Sequence, residues 1–233
     1  MTLPVAILAG GLATRLRPVT DTIPKALIEV AGKPFAAHQL DWLAAQGVKH
    51  VTFLVGYRGE MVRDALGDGS SWQLRVEYVS DGPRLLGTGG ALRRTVPSLG
   101  PSFFVMYGDS YLQCHLARIE RAFKASGLDG LMTVFRNDNQ WDRSNVEFVD
   151  GQIRQYDKYH RTPAMKHIDY GLGVLTAAAL ERYPQDVPFD LADVYRDLLA
   201  AGQLAATDVS ERFYEIGSPE GLAETRAFLE HRS

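Results

Sequence analysis

The sequence predicts an α/β fold, a mostly parallel sheet covered by helices. Three observations carry that expectation. Apolar runs of about five residues alternate with segments of helical period. The run Phe103-Phe104-Val105-Met106 reads as a strand buried on both faces, the pattern of a parallel sheet. With 45% of its 233 residues hydrophobic, the chain can bury one substantial core and needs no second unit.

Val5 to Leu8 forms the candidate central strand, and the glycine loop that begins at Gly10 follows it. A helix is expected over 34–46, with Pro34 in its first turn, Phe35, Leu40, Trp42 and Leu43 toward the core, and Gly47 at its end. Val51 to Val55 returns as a strand. A short helix over 60–66 stops at Gly67, and alternation at Leu74, Val76 and Val79 marks a third strand. A helix from the glycines at 87, 89 and 90 to about Val96 precedes the run at 103–106. The second half is less regular: a helix over 116–125, a strand over 130–135, a hairpin at Asp150-Gly151 and helices over 191–201 and 219–231.

The formal net charge of −3 provides no global basic surface for nucleic acid or an anionic membrane, so any phosphate site must be built locally. A single cysteine, Cys114, excludes an internal disulfide framework and a cysteine-cluster metal site and suits a reducing, cytoplasmic compartment. The N-terminal apolar run is too short to span a bilayer and lacks a basic leader.

Gly10 and Gly11 directly follow the first strand, where backbone amides can approach a triphosphate without side-chain obstruction, and Arg15 and Arg17 add charge. Strand-ending glycines alone are often only a turn. Here they belong to a longer string, Gly10-Gly11-x-x-Thr14-Arg15-Leu16 and then Pro24-Lys25. It differs from the Walker loop and from the dinucleotide-binding glycine turn, and it resembles the signature of sugar-1-phosphate nucleotidylyltransferases. The resemblance continues through Val55-Gly56-Tyr57, Leu86-Gly87-Thr88-Gly89-Gly90-Ala91, Gly108-Asp109 and Glu215-Ile216-Gly217-Ser218. With Leu85-Leu86 before the Gly-Thr-Gly-Gly run, it comes near heptose-1-phosphate guanylyltransferases.

That resemblance implies a Rossmann-like three-layer sandwich, the nucleotide-diphospho-sugar transferase fold, in one domain over 1–233. The nucleotide would lie over residues 1–112 and the sugar phosphate over 113–233. The implied reaction joins a nucleoside triphosphate and a sugar 1-phosphate with Mg²⁺ and releases pyrophosphate. Both reactants are anions, so positioning and charge neutralisation must dominate, and no covalent nucleophile is needed.

By matched position, Arg15 would hold the departing phosphates and Lys25 would neutralise charge at the reacting centre. Leu8, Gly10, Gly11, Thr14, Gly87 and Thr88 would line the nucleotide site. Asp81 would either accept from the base or initiate a turn. Asp109, at the carboxyl end of its strand, would bind Mg²⁺, with Glu215 where the family usually carries Asp; Asp169 is the alternative to Glu215. Lys158 would contact the sugar phosphate, with Asn145, Tyr170 and Gly171 facing the sugar. Ala13 stands where many relatives have glycine.

Other clusters carry less. Asp190, Asp193 and Asp197 are expected on one solvent-facing helical side, His38 is expected to be packed, and Cys114-His115 are neighbours without being a nucleophile–base pair. Three alternatives stay open: a UTP- or CTP-dependent transferase, a non-catalytic nucleotide-sensing module, and a glycosyltransferase, for which no D-x-D motif is present. No attached acyltransferase repeat is expected, and the sequence identifies no oligomer interface.

Overall fold

A computed structural model describes residues 2–11 and 14–232. The position of Ala13, with its glycine-to-alanine departure, lies outside the described residues.

An uninterrupted apolar run gives β1 (Val5–Ala9) two apolar faces, and the chain then runs through short 3₁₀ turns to a small hairpin, β2 (Glu29–Val30) and β3 (Lys33–Pro34). From there it continues as α1 (Phe35–Ala45), β4 (His50–Val55), α2 (Gly59–Leu66), β5 (Arg75–Ser80), α3 (Gly87–Leu99) and β6 (Ser102–Tyr107). The second half holds β7 (Ser110–Tyr111), α4 (Leu116–Ser126), β8 (Gly130–Arg136) and the hairpin β9 (Val146–Val149) and β10 (Gln152–Tyr156). It closes with β11 (His167–Thr176), α5 (Ala177–Glu181), α6 (Leu191–Ala200), β12 (Leu204–Val209), β13 (Tyr214–Glu215) and α7 (Pro219–Glu230).

The main sheet is nine-stranded, in the order β10-β9-β11-β6-β1-β4-β5, with β8 and then β12 branching from β11. Strand β1 pairs in parallel with both β4 and β6, and β5 extends the parallel run. Strand β11 lies antiparallel to β6, β8 and β9, while β8 and β12 are parallel to one another. Only β11 and β10 therefore run against the rest. The β6–β11 pairing joins the two halves of the chain into one sheet.

Helices cover both faces, giving three layers. On one side Leu40 of α1, Val62 of α2 and Ile119 of α4 pack with Ile7, Phe53 and Phe104. On the other, Leu92 of α3, Leu180 of α5 and Val194 of α6 pack with Ala6, Leu54 and Val105. Trp42 is only partly buried against the first core. A third, smaller cluster fastens Ile216 and Leu222 to Leu16, Ile28 and Phe35, so the last helix is anchored to the loop that follows β1. Among the described residues, no helix is long and apolar enough to cross a membrane.

The expected helices and hairpin form within a few residues of their expected bounds. The ten-residue β11 and the edge strand β12 were not anticipated. Helix α3 runs past the expected stop at Val96 and through Pro97 to Leu99.

Candidate functional site

Two cavities open side by side at the carboxyl ends of β1 and β6, where an open parallel sheet presents ligands. The first, about 280 Å³, is bordered by Leu8, Gly10, Gly11, Lys25, Asp81, Gly87, Thr88 and Asp109. The second, about 570 Å³, is bordered by Arg15, Asp109, Asn145, Lys158, Asp169, Tyr170, Gly171 and Glu215. Asp109 and Tyr107 belong to both, so the end of β6 is the seam.

Local sequence explains how the seam is built. A Cβ on Gly108 would stand 2.5 Å from the Leu8 carbonyl oxygen, so only glycine lets β6 end against β1 and deliver Asp109 between the cavities. Pro24 is extended and Ala26 is buried, which turns Lys25 inward; its Nζ lies 3.0 Å from Asp109 Oδ2. The Ile216 amide donates to the Asp109 carbonyl at 2.9 Å and β13 pairs with β7, so Glu215 lies opposite Ser110. A point at the missing Cβ of Gly217 is 2.6 Å from Glu215 Oε2, 3.2 Å from Arg15 Nη2 and 3.2 Å from Asp109 Oδ2. Two carboxylates and a guanidinium thus converge where the chain carries no side chain.

Glu215 is held in place on the first turn of α7. It accepts from the Gly217 amide and, at 2.6 Å, from the Ser218 hydroxyl, which itself caps α7 by accepting from the Gly221 amide. Asp169, the alternative to Glu215, borders the same cavity and also accepts two hydrogen bonds, from Tyr107 Oη and the Gly171 amide, each at 3.0 Å. Burial raises the Asp169 carboxyl, against the Gly171 amide, Lys158 and Tyr107, which pull it down.

The residues present suit a hard divalent cation. Among the described residues, no group of three or more His, Cys, Asp or Glu side chains could hold a metal alone. Asp109 and Glu215 provide only oxygen donors, which matches Mg²⁺, an ion commonly held by one or two carboxylates together with substrate phosphates.

At the first cavity, Asp81 is buried and its Oδ2 accepts from the Leu86 amide at 3.2 Å, so it closes the 81–86 turn while bordering the cavity. Burial raises this carboxyl above its ordinary value, against the Leu86 amide and Arg94. Gly87 has φ +69°, and a Cβ there would lie 2.6 Å from the Phe189 carbonyl oxygen. Thr14 is exposed, in the Thr14–Leu16 turn, and borders neither cavity.

At the second cavity, Asn145 Oδ1 accepts from the Asp169 amide at 3.0 Å and fastens β11 to the loop before β9. Gly171, at φ +87°, is closed in by Ser110 and Tyr107. Tyr170 borders the cavity, but its side chain is fully buried, with the ring against Phe135 and Phe213 and Oη accepting from the Gln113 amide. Lys158 Nζ donates to Asp190 Oδ1 at 3.1 Å.

Asp190 corrects an expectation. It does not share an exposed face with Asp193 and Asp197 but caps α6 in a reciprocal pair with Asp193. The D-x-x-D spacing at 190–193 is a legible capping signal; its contacts to Thr88 and Lys158 are tertiary and leave no mark in the sequence. His38 is buried, with Nε2 2.7 Å from the Val30 carbonyl oxygen. Burial pushes the Cys114 thiol up to about 12, which leaves no thiolate for nucleophilic work.

A family model described as nucleotidyl transferase matches residues 5–145. A mannose-1-phosphate guanyltransferase of Aspergillus fumigatus is 28% identical over 222 residues, covering 92% of this chain and 60% of that relative. A mannose-1-phosphate guanylyltransferase of Mycobacterium tuberculosis is 29% identical over 229 residues, covering 96% of this chain and 63% of the relative. The chain therefore spans about three-fifths of the length of these curated relatives. The crystal structure of HddC from Yersinia pseudotuberculosis complexed with GMP-PN superposes with a TM-score of 0.82 at 25% identity, covering 98% of this chain and 100% of the other.

Proposed function

The chain belongs to the nucleotidyl transferase family, and from that premise we propose that it transfers a nucleotidyl group, guanylyl in the first instance, to a sugar 1-phosphate. The observation that carries this reading is the seam: Lys25 and Asp109 in contact between two cavities, with Arg15 and Glu215 converging on Gly217. The first cavity takes the nucleoside triphosphate and the second the sugar phosphate, so the two anions meet at the seam.

The acceptor's phosphate oxygen attacks the α-phosphorus in line. One phosphorus–oxygen bond forms, the bond from the α-phosphorus to the bridging oxygen breaks, and pyrophosphate departs with that oxygen. Lys25 neutralises charge at the reacting phosphates, and Arg15 holds the leaving group. Asp109 and Glu215 would hold Mg²⁺, which supplies charge neutralisation on phosphate oxygens. Lys158 holds the acceptor phosphate. Fixed cations of this kind contribute by being in position before the charge develops.

Guanine is favoured on two grounds. The two curated relatives described above are guanylyltransferases by name, and HddC was solved with GMP-PN. The buried Asp81, with Oδ2 on the Leu86 amide, keeps Oδ1 for the adjacent N–H donors on the guanine edge; leaving those donors unpaired would cost binding. A heptose 1-phosphate is the finer acceptor proposed from Leu85-Leu86 and the glycines after them.

The test is pyrophosphate release with Mg²⁺, crossing the four ribonucleoside triphosphates and dTTP with heptose, hexose and amino-sugar 1-phosphates. GTP with a sugar 1-phosphate is expected to be productive. Turnover with UTP or CTP alone overturns the base assignment, and nucleotide binding without turnover on any acceptor supports a sensing module instead. Lys25→Met is expected to lower kcat by about 10²-fold with an unchanged melting temperature, and unchanged turnover removes Lys25 from the chemistry.

A further inference from the structure

We infer that Asp190 is a positioning residue that couples the two cavities, holding the acceptor-side lysine in register with the nucleotide-side loop. The inference rests on the proposed reaction, with Thr88 at the nucleotide and Lys158 at the acceptor phosphate.

One carboxylate oxygen carries the coupling. Asp190 Oδ1 accepts from Thr88 Oγ1 at 3.1 Å, from Lys158 Nζ at 3.1 Å and from the Ala192 amide at 2.8 Å. Thr88 borders only the first cavity and Lys158 only the second. Thr88 Oγ1 in turn accepts from the Leu191 amide at 2.8 Å, so its hydroxyl is locked to the first turn of α6 in both directions. The Phe189 carbonyl oxygen, next to Asp190, accepts from the Gly89 amide at 3.0 Å, which fixes the start of α3 against the same turn.

A lysine has four rotatable bonds and loses rotamer entropy when it is fixed. A free lysine would spend that freedom at the moment the acceptor binds, whereas Asp190 has already ordered Lys158 along the Tyr107 ring, 5.9 Å from its centroid. Burial by itself would raise the Asp190 carboxyl; the Ala192 amide, Lys158 and Thr88 outweigh it and hold the group ionised below the usual carboxylate range. The charge facing Lys158 is therefore a permanent one at neutral pH. Opposing the positioning gain, the carboxylate competes with the acceptor phosphate for the ammonium. Both ligands suit a single lysine, however, because its three N–H donors point in different directions and Asp190 uses one.

Asp190→Asn separates positioning from capping. Asparagine caps a helix as well as aspartate does and keeps the one oxygen that the Ala192 amide, Thr88 and Lys158 share, removing only the negative charge that orders the ammonium, so a purely structural role predicts wild-type kinetics and melting temperature. Coupling predicts instead that kcat/KM for the sugar 1-phosphate falls about tenfold or more, with KM for the triphosphate changed less than about twofold. Thr88→Val supplies the second arm: although Thr88 does not border the acceptor cavity, acceptor KM is expected to rise.

Calorimetric titration of the same sugar 1-phosphate into protein loaded with Mg²⁺ and a non-hydrolysable triphosphate reads acceptor affinity without turnover, and the same loss is expected there. Asp190→Asn kinetics equal to wild type, or a tighter acceptor, overturn the coupling and leave the transferase reading standing. A wild-type protein that neither binds nor turns over any sugar 1-phosphate overturns both.

Discussion

Gly217 shows how a residue without a side chain can define a site. A methyl group there would meet the ends of Glu215, Arg15 and Asp109, all flexible side chains, so the fold can yield while the site cannot. Gly217→Ala is therefore expected to leave the melting temperature within a few degrees of wild type and to lower kcat by about 10- to 100-fold, as a shift of this size at the reacting groups should. A drop in stability with retained specific activity would contradict this. Asp169 carries a pH signature. Its folded-state carboxyl is raised by burial, so the associated stability is fully present below the unfolded pKa and is lost as pH rises through the folded value. Asparagine can accept from the Gly171 amide through Oδ1 and donate from Nδ2 to Tyr107 Oη without ionising. The gain in melting temperature of Asp169→Asn over wild type should therefore grow as pH rises above the ordinary carboxylate range; a constant difference would remove burial as the cause.

The elements act as distance-setters. Helix α3 begins at Gly87 with its first turn pressed against the 187–190 segment, and a Cβ at position 87 would strike the backbone oxygen of Phe189 at a φ of +69°. Unlike the contact at Gly217, this one is with backbone and has no flexible end to move. Gly87→Ala should cost about 1–3 kcal/mol in urea unfolding and weaken triphosphate binding, because the loop that borders the first cavity must shift. Stability and nucleotide affinity equal to wild type would show that the turn relaxes freely. The signals for α3 and for the capping of α6 were legible, as runs of glycine and as D-x-x-D spacing. Their contact was not, since it joins Thr88 to Asp190 and nothing local specifies that pair.

At the scale of the molecule, the seam between the two cavities depends on the last helix returning to the first loop. The small cluster containing Leu16, Ile28, Phe35, Ile216 and Leu222 makes that connection, and Ile216 is fully buried between Glu215 and Gly217. Ile216→Ala should lower stability by about 2–5 kcal/mol and reduce turnover at temperatures where the protein remains folded. Loss of stability with full turnover would show that Glu215 is placed by β13 alone. Several features could be read directly: the strands with two apolar faces, the helices with their caps and stops, and the ordered motifs containing Arg15, Lys25 and Asp109. These follow from local geometry and short spacing, which a linear pattern records. Strand β11 carries no clear signal in the sequence because its glycines at 171 and 173 interrupt the apolar pattern, and those glycines are required by Tyr107, Ser110 and Tyr195 packed against it. The sequence by itself determined the α/β class, the nucleotide loop and the candidate cations, because each is encoded in consecutive residues. The tertiary structure alone decided that Glu215, Arg15 and Asp109 converge at Gly217, and that Asp190 joins Thr88 to Lys158. Those outcomes depend on sheet register and on which groups share one small volume, quantities set only when distant segments pack.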